Sequence, residues 1–232
     1  MKKLIMIIAI LLVSVKGFAQ YENQHLLGVK YSYNLSGSLF DPSSLGGGFA
    51  QSPVNVSLLY TYYHSLWGDK PYFGIQIGLK YGQEVVLLKN RNEPYGKDTY
   101  GIAEIPLLSQ FRIPVTNNFK FMVTLGPFAA YRLNVVKMTG YNEETKEYEK
   151  SQTGFNEDDK RIDYGIEGGL GIGYTFRPFE LHFEVQYKYG LGNLYELDKF
   201  SSERWVYANT HHIMFSLSLH VHLDKDKRKK RF

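Results

Sequence analysis

The sequence predicts an all-β fold, an eight-stranded antiparallel up-and-down transmembrane β-barrel. Three observations favour it: apolar and polar residues alternate from residue 25 to residue 223, short and long connections alternate, and aromatic residues mark the strand ends. The 232 residues include 16% aromatics, 22 glycines and no cysteine. The mean hydropathy of -0.30 excludes a bundle of membrane helices, each of which needs about 20 apolar residues. The lack of cysteine excludes a disulfide framework and thiol catalysis.

Eight strands follow from the period-two alternation. They are predicted at 25–35, 53–64, 71–84, 98–113, 118–133, 161–176, 179–192 and 207–223. In the last strand Phe215, Leu217 and Leu219 share one face, while Ser216 and His220 share the other. Lengths of 11 to 17 residues suit a tilted membrane crossing, whereas sandwich strands usually have about 5 or 6 residues. A soluble lipocalin-like binder is the alternative fold, since its strands also alternate.

The connections between these strands differ in length in a regular order. Short links at 66–70, 114–117 and 177–178 alternate with long ones at 36–52, 85–97, 134–160 and 193–206. Outer-membrane barrels show this order because their periplasmic turns are tight and their extracellular loops are long. With an even number of strands, both termini are then expected in the periplasm.

The first 19 residues have the layout of a secretory signal. Lys2 and Lys3 precede an apolar segment at 4–13, and Gly17-Phe18-Ala19 supplies a small-residue cleavage site. We therefore predict a signal peptide at 1–19, an outer-membrane β-barrel at 20–223 and a basic periplasmic tail at 224–232. Cleavage removes three of the 27 Lys and Arg and none of the 23 acids, so the formal charge falls from +4 to +1. Nucleic acid is therefore not an expected partner.

The polar face of the strands predicts a charged barrel interior. A lumen of eight strands is just wide enough for side chains to fill it, so these charges should pair in salt bridges. Glycines of strands 3 and 6 are expected to make room for long neighbouring side chains. The predicted inward set is Lys30, Lys80, Arg112, Lys120, Arg132 and Lys188, with Glu104, Asp163, Glu167, Glu180 and Glu184, and with glycines 74, 78, 82, 165, 169, 171 and 173.

Aromatic side chains at the strand ends predict two interfacial girdles, because amphipathic rings favour both membrane–water boundaries. Their predicted members are Trp67, Tyr72, Tyr174, Phe176 and Phe179 at the periplasmic end, and Tyr187, Tyr189, Trp205 and Tyr207 at the outer end.

Two interior clusters have residue types that could perform chemistry. Glu180, His182 and Glu184 should face His220 and His222, which could bind a divalent ion or form a hydrogen-bonded network. We favour the network.

Ser216, Ser218 and His220, with Glu184 nearby, could serve a lipid-modifying enzyme, but no nucleophile motif surrounds them. The acidic third loop could bind Ca²⁺, although a solvated loop is the simpler interpretation. We therefore predict no catalytic, metal-binding or cofactor-binding residue, no cofactor, and a protein that is not an enzyme.

Four stretches of the chain resemble a known family. They are LLGVKYSYNLSGS, FGIQIGLKYGQ, YGIAEIPLLSQFRI, and DYGIEGGLGIGYTF with FELHFEVQYKYGLGNL. The run Glu104-Ile105-Pro106-Leu107 and the later GPFAAYRL are its most family-like details. The chain resembles the PorT-like or outer membrane protein beta-barrel domain family of Bacteroidota-type bacteria, which are small OmpA-like eight-stranded barrels. The resemblance implies an outer-membrane location.

The predicted function follows from the filled interior and the long loops. We expect a monomeric barrel closed to ordinary solutes, surrounded by outer-membrane lipid, that is structural or serves as a binding scaffold through its surface loops. The alternative is an accessory subunit of an envelope complex for type IX secretion or nutrient uptake, with other envelope proteins as partners. A lipid-modifying outer-membrane enzyme is a further alternative.

Overall fold

The computed structural model describes residues 23–41, 43–52, 54–64, 72–90, 93–142, 144–145, 147–196 and 207–223. The predicted signal at 1–19, the basic tail at 224–232, Trp67 and Trp205 lie outside these ranges. None of the described residues belongs to a helix that is long and apolar enough to cross a membrane.

Within these ranges, ten antiparallel strands make up the sheet. They are β1 (Gln24–Asp41), β2 (Gly48–Ser52), β3 (Asn55–His64), β4 (Phe73–Asn90), β5 (Glu93–Pro114), β6 (Phe119–Asn142), β7 (Glu147–Thr153), β8 (Ile162–Phe176), β9 (Phe179–Gly190) and β10 (Tyr207–His222). Eight of them form a ring in the order β10-β9-β8-β6-β5-β4-β3-β1. The pairing of β1 with β10 closes the ring, from Leu26↔His222 to Asp41↔Tyr207. The predicted eight-stranded barrel is confirmed. Because the ring has no open edge, the backbone N–H and C=O groups of its strands can all be hydrogen-bonded within the sheet, as the hydrocarbon core of a bilayer requires.

The two additional strands lie beside the long connections. β3 pairs with the first half of β1, and β2 pairs with the part of β1 that follows. The register along β1 shifts by one residue between the pairs Tyr31↔Val56 and Asn34↔Ser52. β7 folds back on β6 as a hairpin, with Val136 opposite Thr153. β2 and β7 thus build β structure where the sequence predicts loop.

The prediction of a long loop at 85–97 is wrong. β4 continues to Asn90 and β5 begins at Glu93, so the ladder between them runs almost to the tip. The predicted loops at 36–52 and 134–160 are likewise shortened, because β1 reaches Asp41 and β6 reaches Asn142. The physical reason is a second, apolar core above the charged lumen, which these extensions enclose.

The strands bury polar side chains and expose apolar ones along most of their length. On β1, Lys30 and Ser32 are buried, whereas Val29 and Tyr31 are more than half exposed. β9 shows the same inversion, with Glu184 buried and Phe183 exposed. This is the opposite of a soluble barrel, and it is the pattern of a wall that faces lipid. The alternation predicted for the strands is confirmed.

The predicted role of the inward glycines is confirmed where neighbouring side chains cross them. A Cβ added at Gly74 would lie 2.4 Å from the ring of Tyr63, and one at Gly171 would lie 2.8 Å from Cγ of Glu184. Such approaches are too close for any side chain larger than hydrogen.

Of the predicted girdle residues, Tyr174, Phe176, Phe179, Tyr187 and Tyr207 are exposed on the outer surface, while Tyr72 and Tyr189 are half-buried.

Candidate functional site

The barrel interior holds the charged residues that the sequence places there. All eleven predicted inward charges are buried, with none more than 9% exposed. Among the described residues, four further buried charges were not predicted: Glu84, Asp98, Lys137 and Asp159. Glu84 has the same inward phase as Lys80, so the alternation also indicates it. Lys137 and Asp159 lie within 134–160, for which a loop is predicted.

Glu180 organises the lumen at the short-turn end. Its carboxylate accepts hydrogen bonds from Nζ of Lys120 at 2.8 Å and from Nε2 of His182 at 2.6 Å, and Nε2 of His222 lies at 3.1 Å. Arg112 Nη2 approaches it at 3.6 Å, and the Arg112 guanidinium stacks 3.2 Å above the ring of Tyr63. The predicted proximity of Glu180, His182 and His222 is confirmed. The contacts of Glu180 with Lys120 and Arg112 were not predicted.

The surroundings of this cluster do not suit a divalent ion. Cations already occupy the Glu180 carboxylate, and Glu184 pairs with Nζ of Lys30 at 2.5 Å. In the part of the chain that the structure describes, no group of three or more His, Cys, Asp and Glu is arranged to hold a metal. The arrangement is that of the hydrogen-bonded network.

The serines of β10 do not form a nucleophilic site. Ser218 Oγ lies 2.9 Å from Nε2 of His220, and Ser216 shares a hydrogen bond of 2.8 Å with Ser32. The described residues supply no hydrogen-bond partner for Nδ1 of His220, so no carboxylate orients this imidazole as a triad requires. Ser216, Ser218 and His220 are all buried in the lumen, where a lipid substrate has no access.

Glu104 is the centre of the middle layer. Its two carboxylate oxygens accept hydrogen bonds from Lys80 at 3.0 Å and from Lys188 at 2.6 Å. The glutamate and Lys188 are essentially fully buried. Nearby, Glu167 and Lys30 contribute to the lining of a cavity of about 20 Å³, which has room for about one water molecule. The lumen is therefore filled at this level.

Arg132 occupies the next layer towards the long connections. Its guanidinium donates to Asp163 at 3.0 Å and to the carbonyl oxygen of Lys160 at 3.0 Å, and it lies 3.6 Å from Glu84. Thr210 donates a further hydrogen bond to Asp163 at 2.9 Å. Arg132 is completely buried, so its side chain and these partners occupy the lumen at this level.

Above Arg132 the interior becomes apolar. We call this region the crown, and its core consists of Phe40, Val86, Tyr100, Ile102, Val135, Leu194, Tyr195 and Ala208. The connection after β9 supplies Leu194 and Tyr195, which are at most 1% exposed, and it is fixed by backbone hydrogen bonds such as Leu194 N to Ala208 O at 2.8 Å. The crown core therefore lies above the charged lumen at the long-loop end.

A buried polar cluster ties the crown together. The Tyr195 hydroxyl donates to Asp98 at 3.1 Å, and Lys137 pairs with Asp159. Burial, reinforced by Tyr100 and Asp98, holds the pKa of Tyr195 well above its ordinary value. The hydroxyl accordingly stays protonated and keeps donating over the physiological pH range.

Several solved structures show a distant likeness to this chain. No curated protein matches the sequence. Structures of similar fold include Ail of Yersinia pestis in complex with the heparin analogue sucrose octasulfate (11% identity, 86% of this chain and 99% of that chain, TM-score 0.43). They also include Neisserial surface protein A (11% identity, 84% and 96%, TM-score 0.45) and OprG from Pseudomonas aeruginosa (12% identity, 84% and 95%, TM-score 0.42).

The family comparison covers most of the sequence. Residues 18–196 match the family described as "Outer membrane protein beta-barrel domain". This range is more than half of the chain and contains β1 to β9. The match to this family agrees with the closed ring, the lipid-facing apolar wall and the polar interior. The chain belongs to the outer membrane protein beta-barrel domain family.

Proposed function

We propose that this protein is a closed outer-membrane barrel that acts as a binding scaffold at the cell surface, and that it is neither a channel nor an enzyme. After export directed by residues 1–19, the short turns and both termini face the periplasm, and the crown projects outward. A monomer surrounded by outer-membrane lipid is sufficient for this role. The observation that carries the proposal is the crown, because strands that continue into water with their own core form a rigid platform.

The filled lumen supports the exclusion of transport. Glu180 and Glu104 form salt bridges with lysines in the interior, and Arg132 forms one with an aspartate. The crown core lies above all three. A general diffusion pore needs about 16 strands, whereas this ring has eight.

The crown offers a surface on which binding can occur. The β6–β7 hairpin presents exposed charged side chains, including Glu144, Glu149 and Lys150. The ladder between β6 and β7 already orders the backbone of this hairpin, so little further ordering of the main chain would be needed when a partner binds. A ligand or protein outside the cell is the partner that this position suits.

The orientation is tested by labelling at two positions, for which the cysteine-free sequence is well suited. A membrane-impermeant maleimide should label Glu149→Cys on β7 in intact cells, because the crown faces outward. It should label Asn117→Cys, in a short turn, only after the cells are lysed. Labelling of Asn117→Cys alone in intact cells would reverse the orientation and refute the surface role.

Partner capture separates the scaffold from an accessory subunit. A mild-detergent pull-down should be made with the full chain and with a variant in which a Gly-Ser linker replaces residues 140–152. A partner lost from this variant supports binding by the crown. A stoichiometric partner retained by both proteins would instead favour a PorT-like accessory role in an envelope complex.

A further inference from the structure

The lipid-facing wall carries a groove that the proposed function does not use. Its volume is about 610 Å³, within the range of pockets that bind small ligands. The groove crosses five neighbouring strands, β9, β10, β1, β3 and β4, and its lining is almost entirely apolar. The outward-facing lining residues are Val29, Tyr31, Val56, Leu58, Leu79, Tyr81, Leu181, Leu217 and Leu219. An apolar groove on a membrane-spanning wall is suited to a hydrocarbon chain.

A cluster of polar aromatic side chains continues from the groove towards the short-turn end. On β3, Tyr60, Tyr62 and His64 follow Leu58 on the same face, and His25 lies beside Tyr62 on β1. The Tyr60 hydroxyl and Nδ1 of His25 share a hydrogen bond of 2.7 Å, and the Tyr62 ring centroid lies 5.1 Å from that of His25. We call these four residues the rim cluster.

The rim cluster differs chemically from the rest of this end of the barrel. Other exposed aromatic residues near the short turns are mostly apolar rings: Phe111, Phe121, Phe176 and Phe179. Between the groove and the short turns, by contrast, the side chains are the imidazoles and phenols of the rim cluster. Asn23 adds an amide, whose Oδ1 accepts a hydrogen bond of 2.7 Å from Nδ1 of His64. Hydroxyl and imidazole donors at a membrane interface are suited to the phosphate of a lipid headgroup.

The spacing of the two features fits one leaflet. Six residues separate Tyr62 from Val56 at the far end of the groove, which is about 20 Å along a strand at about 3.3 Å per residue. With a strand tilt of about 35–45°, this corresponds to about 15 Å of depth, or half of a hydrocarbon core of about 30 Å. A phospholipid whose headgroup lies on the rim cluster can therefore place an acyl chain in the groove from the same leaflet.

We propose that the groove and the rim cluster together bind one glycerophospholipid of the periplasmic leaflet. One acyl chain lies in the groove between Val29 and Leu58, and the phosphate lies beside Tyr62 and His64, where it accepts a hydrogen bond from the Tyr62 hydroxyl. The choice of leaflet rests on the orientation given by the proposed function. The site makes this side of the barrel a specific lipid contact within an otherwise nonspecific annulus.

Native mass spectrometry of the full mature chain, extracted in mild detergent and supplied with phosphatidylethanolamine or phosphatidylglycerol, tests this site. The unaltered protein should retain one phospholipid. Leu58→Trp, which fills the groove, should lower the retained fraction at least tenfold. Tyr62→Phe combined with His64→Phe, which makes the rim resemble its Phe-rich remainder, should lower it severalfold.

Matched controls lie on β6, two strands away from β4 and from β9, the outermost strands of the groove. Leu125 is 62% exposed and Tyr131 is 44% exposed, so Leu125→Trp and Tyr131→Phe make the same chemical changes on the same kind of surface. Both controls should retain lipid as the unaltered protein does. Heat-modifiable migration on gels verifies that each variant is folded.

Three results would overturn the site. They are equal retention in all variants, retention of lipopolysaccharide instead of phospholipid, and a dimer that disappears with Leu58→Trp. The maleimide experiment is independent of these results. A reversed orientation with one lipid still held at the groove would refute the surface role and the leaflet but leave the groove as a lipid site. Loss of the lipid with the expected labelling would refute the site alone.

Discussion

Replacing Glu104 by alanine should lower the free energy of unfolding by about 3–5 kcal/mol, the usual cost of breaking a buried ion pair by removing one partner. Glu104 alone accepts hydrogen bonds from both Lys80 and Lys188 through its two oxygens. Its removal leaves two buried ammonium groups in a lumen that has room for about one water molecule nearby. Urea titration in lipid vesicles, followed by heat-modifiable gel migration, measures the change.

An exposed ion pair supplies the control for this substitution. Lys160 and Glu196 lie 3.2 Å apart, but their side chains are 37% and 53% exposed. Glu196→Ala should therefore change the free energy of unfolding by less than about 1 kcal/mol. If Glu104→Ala were no more destabilising than Glu196→Ala, the interior charges would not form a stabilising network.

Gly165→Val should prevent folding or lower the free energy of unfolding by about 3 kcal/mol or more, at the upper end of overpacking effects. A Cβ at Gly165 would lie 2.0 Å from the backbone carbonyl oxygen of Tyr189 and 2.9 Å from the ring of Phe128. The backbone carbonyl cannot rotate away, so β8 and β9 would have to separate. The yield of heat-modifiable barrel after refolding into vesicles measures the effect.

Gly168→Ala is a milder control on the same strand. Its added Cβ would lie 3.0 Å from Cδ1 of Leu125, the flexible end of a lipid-facing side chain, and 3.1 Å from the carbonyl oxygen of Thr124. The Leu125 side chain can move aside, and this carbonyl is much more distant than the one that faces Gly165, so the variant should fold with nearly normal yield. Equal yields for Gly165→Val and Gly168→Ala would mean that the close approach of β8 to β9 is not a constraint on the fold.

The sequence predicts the membrane-spanning part well because period-two alternation is a local property. Each inward residue, such as Glu180 or Lys188, shows its face through its immediate neighbours. Antiparallel register also brings Lys80 opposite Glu104 on adjacent strands. The contact of Glu104 with Lys188 is different, since β5 and β9 are not neighbours in the ring and only the closed barrel brings them together.

The crown is where prediction from the sequence fails, for a related reason. The extensions of β4 and β5 carry turn-forming and charged residues that indicate solvent, and Glu93 and Pro94 at the tip are exposed. Their opposite face buries Val86 and Tyr100 against Leu194 and Tyr195, which come from a connection about 100 residues later in the chain. No local pattern reveals that such a distant segment supplies the missing apolar partner.

Single-channel recording of the purified chain in planar bilayers shows whether this eight-stranded barrel, with its charged lumen and apolar crown, is closed. We expect no conductance steps above those of the bare bilayer, since Glu180, Glu104 and Arg132 occupy successive layers beneath the crown. Large, stable conductance steps from folded, heat-modifiable protein would contradict it.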